Sequence, residues 1–148
     1  MKVKRGGGGI ADLDIGFRVL KVDSSNMRDV YYTPSDTRQE NLLDLVDNIK
    51  PDRTGEDLLF QVMLDLGVAL SSKIEETVVC GKTVYSVAGG YLLACFDRDV
   101  TDEVVTEIAK RKPWYFVMRD SSLANDATAA NFEQIFQTYS PTTVRKVL

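Results

Sequence analysis

Asp97-Arg98-Asp99 and Arg119-Asp120 are the residues whose types and spacing come closest to chemistry. Each group follows an apolar run that reads as a strand. Acidic residues at the carboxyl ends of neighbouring parallel strands are where α/β sites often form. Asp97, Asp99 and Asp120 would offer hard oxygen ligands to magnesium, and so a small metal-dependent phosphodiesterase. The plainer account is that they cap the following helices and pair with Arg98 and Arg119. It is preferred, because no lysine or glutamate completes a nuclease pattern.

Lys110-Arg111-Lys112, with Trp114 and Tyr115 just after, is the basic–aromatic cluster of the chain. Lys110, Arg111, Lys112 and Trp114 are its candidate nucleic-acid contacts, since cations neutralise phosphates. The same cations also suit a helix C-terminus, whose dipole favours positive charge. Gly81-Lys82-Thr83 looks like the end of a phosphate-binding loop, but the glycine that pattern requires upstream is replaced by Glu76. A plain hairpin turn is favoured.

Several chemistries are excluded by what is missing. The chain has no histidine, which removes every Ser-His or Cys-His nucleophile and the commonest general base. Its two cysteines, Cys80 and Cys95, cannot build a structural zinc site alone. Both lie in apolar strand-like runs, so both are expected to be buried free thiols. Net charge is −4, from 18 basic and 22 acidic side chains, so the whole chain lacks the basic footprint of a duplex-binding module. No apolar run approaches the roughly 18 residues that span a bilayer. The basic start Met1–Arg5 is followed by glycines rather than an apolar core, so it is not a secretory signal. A cytoplasmic protein without a membrane partner is expected.

The elements that must position these residues are read from periodicity. Residues 1–12, with Gly6-Gly7-Gly8-Gly9, read as a flexible leader or a fusion boundary, and residues 13–148 as one domain. Phe17–Val22 is a strand, and Val30–Thr33 is extended up to Pro34. Leu42, Leu45, Val46 and Ile49 make the stripe of a helix over 40–50 that Pro51 ends. A second leucine-rich helix over 56–67 has Thr54 as N-cap, Leu58, Leu59, Val62, Met63 and Leu66 on one side, and Gly67 as its stop. Glu76–Cys80 and Thr83–Val87 flank a Gly81-Lys82 turn, and Ala88-Gly89-Gly90 makes another.

Tyr91–Phe96 is apolar throughout, as in a strand covered on both faces. A helix over Val100–Ile108 starts near Thr101. After Pro113 come a strand at Trp114–Met118, a helix capped by Asn125 or Asp126, and a strand at Val144–Leu148. That alternation predicts an α/β (or α+β) fold. It has a mixed sheet, two C-terminal β-α-β crossover units, and two leucine-rich helices in the N-terminal half.

Three stretches carry a family likeness. They are Gly16–Asn26 (Gly-Phe-Arg-Val-Leu-Lys-Val-Asp-Ser-Ser-Asn), Asp52–Val62 (Asp-Arg-Thr-Gly-Glu-Asp-Leu-Leu-Phe-Gln-Val), and Lys110-Arg111-Lys112-Pro113 with Arg119-Asp120-Ser121-Ser122. Asp126, Asn131 and Gln134-Ile135-Phe136 continue it. In order and spacing they resemble the C-terminal region of the modification subunit of type III restriction-modification systems, an adenine-specific DNA methyltransferase. The likeness spans roughly residues 13–148.

The resemblance implies a part of a larger enzyme whose upstream domain binds S-adenosylmethionine and methylates adenine. This chain holds neither the Phe-x-Gly-x-Gly turn for the methyl donor nor the Asp-Pro-Pro-Tyr-type loop that receives a flipped adenine. Its four prolines are isolated from one another. It is therefore expected to be inactive alone, with no cofactor of its own, and to contribute to subunit assembly. Its expected partners are the rest of the methyltransferase subunit, a second copy, the restriction subunit, and DNA through the complex. Leu42, Leu45, Leu58, Leu59 and Val62 are the candidate interface. An accessory DNA-contacting role is the alternative.

Overall fold

The computed structural model describes residues 2–6, 17–28, 48–123 and 126–148. Val30–Pro34, Leu42, Leu45, Val46, Gly7-Gly8-Gly9 and the cap position Asn125 lie outside them. Two compact units, Met1–Val68 and Ala69–Leu148, divide the stretch read as one domain.

In the first unit, β1 (Lys2–Gly6) pairs antiparallel with β2 (Phe17–Lys21), from Lys2 opposite Lys21 to Gly6 opposite Phe17. This corrects the reading of a leader over these residues. Lys2-Val3-Lys4-Arg5 pairs its backbone in a ladder with β2, which the charge and the following glycines do not display in sequence. Ile49 is also not helical. It bridges Met27, with Arg28 N–H donating to the Asn48 carbonyl (2.7 Å) and Lys50 N–H to the Asn26 carbonyl (2.9 Å). Its apolar side chain fits a helical stripe and a buried extended segment equally well, and the backbone pairing decides.

Helix α1 (Gly55–Asp65) has both ends fixed by local chemistry. Asp57 N–H donates to Thr54 Oγ1 (3.2 Å), and Thr54 N–H donates to Asp57 Oδ2 (2.9 Å), a reciprocal capping box. At the other end Gly67 takes φ +68°, and Val68 N–H donates to the Met63 carbonyl (2.8 Å). That is the left-handed stop glycine permits. Leu58, Leu59 and Val62 are 2%, 0% and 0% exposed. They are core residues, which corrects their reading as an interface: a stripe buried within the fold has no face left to offer a partner.

The second unit is α/β, with a five-stranded mixed sheet whose strands lie side by side in chain order. Antiparallel β3 (Ile74–Val79), β4 (Lys82–Val87) and β5 (Leu92–Cys95) are followed by β6 (Tyr115–Met118) and β7 (Val144–Val147). β5, β6 and β7 run parallel, joined by α2 (Asp102–Lys110) and α3 (Asp126–Tyr139), so both expected crossovers are present. Alternation along the strands puts Val84, Leu93, Cys95, Phe116 and Met118 in one cluster with Val104, Ile108, Phe132 and Phe136 of the helices. All of β5 is buried, as its continuous apolar run predicts.

The β3–β4 turn is Cys80-Gly81, not Gly81-Lys82, because Val79 pairs with Lys82. Both turn residues have positive φ, +47° and +80°, as a type I′ hairpin needs. This pushes Cys80 out of the sheet and into solvent, so only Cys95 of the two free cysteines is buried. Burial pushes the Cys95 thiol from its ordinary 9.0 up to about 11.

Iodoacetamide at pH 8 is therefore expected to label Cys80 in the folded protein and Cys95 only after unfolding, read by mass spectrometry. Native Cys95 holds its proton more tightly than the unfolded chain does. Its contribution is intact below pH 9 and is lost as pH rises towards 11, a loss of roughly 2–3 kcal/mol. Labelling of both thiols at equal rates would contradict this packing.

Candidate functional site

The two ends of the parallel strands differ in character. At the carboxyl ends, Asp97 Oδ2 accepts the backbone N–H of Thr83 (2.7 Å), and Lys82 Nζ donates to the Arg98 carbonyl (2.7 Å). These bonds tie the hairpin to the segment after β5. Asp120 opens a single 3-10 turn (Asp120–Ser122), and its N–H donates to the Leu148 carbonyl (2.9 Å). Arg119 Nη1 reaches the Phe96 carbonyl at 3.5 Å. Among the described residues no three acidic, cysteine or histidine side chains gather to hold a metal ion, so Asp97, Asp99 and Asp120 do not form the site their spacing allowed. Nor does an acidic side chain cap α2: its N-cap is Thr101, with no side-chain cap bond.

The amino ends of β5 and β6 carry a cleft instead. The alternation that puts Leu93 and Phe116 under the helices puts Tyr91 and Trp114 on the same face, two positions earlier on each strand. There they remain 43% and 59% exposed. Their rings are parallel within 8° at a centroid separation of 6.3 Å, and Tyr91 also meets Tyr115 edge-on at 5.6 Å. The platform is braced from below. Tyr115 N–H donates to the Tyr91 carbonyl (2.9 Å), and Val144 N–H to the Trp114 carbonyl (2.9 Å). Buried Thr143 donates its hydroxyl to the Pro113 carbonyl (2.6 Å).

Arg111 and Lys112 also line this cleft, whose volume is about 600 Å³. Arg111 caps α2, and Lys112 takes φ +51° before Pro113 turns the chain into β6. A left-handed lysine costs energy that glycine would not. The Ala88-Gly89-Gly90 turn, with φ of +52°, +69° and +93°, closes the cleft beside Tyr91. Backbone strain of this kind concentrates at binding sites.

Lys110 stands apart from Arg111 and Lys112. It donates to Glu107 Oε1 at 2.6 Å, and that bonded carboxylate raises its ammonium above the ordinary lysine range. Among the described residues no carboxylate pairs with Arg111 or Lys112. Glu75, the acid in the cleft, is bonded to Lys73 (2.7 Å).

Three of the four residues expected to contact nucleic acid are thus together, and Lys110 is turned elsewhere. Tyr91 and the Ala88-Gly89-Gly90 turn, legible in the sequence as a strand start and a turn, were not expected at a site. The signal was present, since Tyr91 and Trp114 each stand just before a four-residue apolar strand. No helix among the described residues is long and apolar enough to cross a membrane. Compared with known proteins, the chain matches no family model, no curated protein and no solved structure.

Proposed function

We propose that the chain is a non-catalytic C-terminal domain of a type III restriction-modification adenine-specific DNA methyltransferase, and that it serves that complex as an accessory DNA-contacting domain. The observation that carries the contact is the exposed Trp114, stacked on Tyr91 in a cleft that Arg111 and Lys112 also line. An aromatic face beside free cations suits an anionic, aromatic ligand. The parent identity rests on the three resembling stretches, and S-adenosylmethionine belongs to the upstream domain of that parent.

The test is DNA binding across a salt series with the Lys110, Arg111 and Lys112 triple-alanine variant. Wild-type binding is expected to weaken as salt rises and to be lost in the triple variant. Lys110→Ala alone is expected to bind like wild type, because Glu107 already holds that ammonium. Binding indifferent to the triple variant would remove this cluster from the role.

A second reading, subunit assembly, draws on the sheet edges. Edge strand β3 presents Val78 at 72% exposure, and edge strand β7 presents Val144 and Val147. Light scattering behind size-exclusion chromatography over a wide dilution range tests it. A dimer that survives dilution supports self-association, and a monomer at every concentration ends it for the isolated chain.

A further inference from the structure

The geometry points to an unstacked base of single-stranded nucleic acid, rather than a duplex, as the occupant of the Tyr91–Trp114 cleft, with an adjoining phosphate taken by Arg111 and Lys112. The inference rests on the DNA-contacting reading above and narrows it.

Trp114 and Tyr91 lie with their ring planes nearly parallel, and more than half of the Trp114 side chain surface stays open. A base inside a duplex has both faces covered by its neighbours. Only a base without those neighbours can lie flat on such a platform. The platform is held by backbone hydrogen bonds from β6 and β7, so little ordering remains to be done on binding. The opening of about 600 Å³ falls within the range of small-ligand pockets and is ample for one nucleotide unit.

The electrostatics agree. A duplex-binding surface usually spreads many cations over a face, whereas the chain as a whole carries −4. Two cations beside one aromatic stack match the pattern of single-strand sites, where stacking supplies much of the affinity and a few cations track the backbone. Lys112 adds a further point. Its left-handed backbone, at φ +51°, fixes the start of its side chain beside the platform at a conformational cost.

Trp114 is the only tryptophan, so its fluorescence reports on this cleft alone. Titration with a dT oligonucleotide is expected to quench it strongly, and the matching duplex at equal nucleotide concentration to quench it little. With a labelled oligonucleotide read by anisotropy, Trp114→Ala is expected to weaken binding about 10–100-fold, and Trp114→Phe to restore much of it. Lys112→Gly suits the left-handed backbone, so it is expected to keep or raise thermal stability while weakening binding. The slope of log affinity against log salt is expected near roughly −0.7 for one contacted phosphate on a single strand.

Duplex bound without quenching would leave the DNA-contacting reading standing and overturn base stacking. Equal quenching by a free mononucleotide at the same concentration would overturn the single strand as occupant. No binding of either DNA form would overturn both readings.

Discussion

Phe136→Ala is expected to lower stability by about 3–5 kcal/mol, the cost of emptying a fully buried aromatic site. Phe136 is 0% exposed and sits at the centre of three rings, 5.3 Å from Phe116 and 5.1 Å from Phe132. The first contact is stacked and the second edge-on, both favoured ring arrangements. The Arg145 guanidinium lies over the Phe136 ring at 5.8 Å while pairing with Glu133 at 3.0 Å. One side chain thus joins α3 to β6 and β7. In urea, the midpoint should fall with an unchanged slope, since the surface exposed on unfolding stays the same. Phe136→Leu keeps most of the apolar volume and should cost clearly less. A Phe136→Ala shift worth less than about 1 kcal/mol would mean the rings are not what ties these elements together.

Asn26→Ala is expected to cost about 1–3 kcal/mol, although the change is small in volume. Asn26 is 0% exposed, and its Nδ2 donates to the Asp57 carbonyl at 2.8 Å. Its backbone N–H donates to Gln61 Oε1 at 3.2 Å. Nearby, Arg53 reaches Asp23 at 3.1 Å and the Ser24 hydroxyl at 3.1 Å, and Lys50 reaches that hydroxyl at 2.9 Å. Two of the three resembling stretches, Gly16–Asn26 and Asp52–Val62, are therefore bonded to each other in the first unit. Asn26→Asp makes the sharper test. It keeps the shape but accepts only, so a buried carboxylate would face the Asp57 carbonyl. Val22→Ser, at a side chain 91% exposed, should stay within about 0.5 kcal/mol of wild type. An Asn26→Asp protein as stable as wild type at pH 7 would show that this amide holds nothing.

Legibility in the sequence followed how local the deciding physics was. Helix α1 could be read end to end, because Thr54, Asp57 and Gly67 act within a few residues of where they stand. The two crossovers were legible for a similar reason: each strand and helix carries its own period. The Cys80-Gly81 turn was misplaced by one residue because cysteine is not a residue that announces positive φ. β1 was missed because a short, charged strand takes its identity from the strand it pairs with. Ile49 went astray by the same route. In the site, Lys110, Arg111, Lys112 and Trp114 were visible as a run, but only three-dimensional pairing separates Lys110 from the rest. Tyr91 joins Trp114 through strand register, which no single stretch of sequence displays.

The strand order of the second unit has a consequence for how it forms. Each strand lies beside the one that precedes it in the chain, so no pairing must wait for a distant segment. Closing short loops costs little entropy, and topologies built from near-neighbour contacts fold quickly for their size. During synthesis the β3–β4 hairpin can close first, β5 can add to it, and each crossover then lays down one helix and one strand. Tyr91 enters with β5 and Trp114 with β6, so the stacked pair is complete once β6 has docked. The sheet extends from one side, and its growing edge at every stage is the strand most recently made.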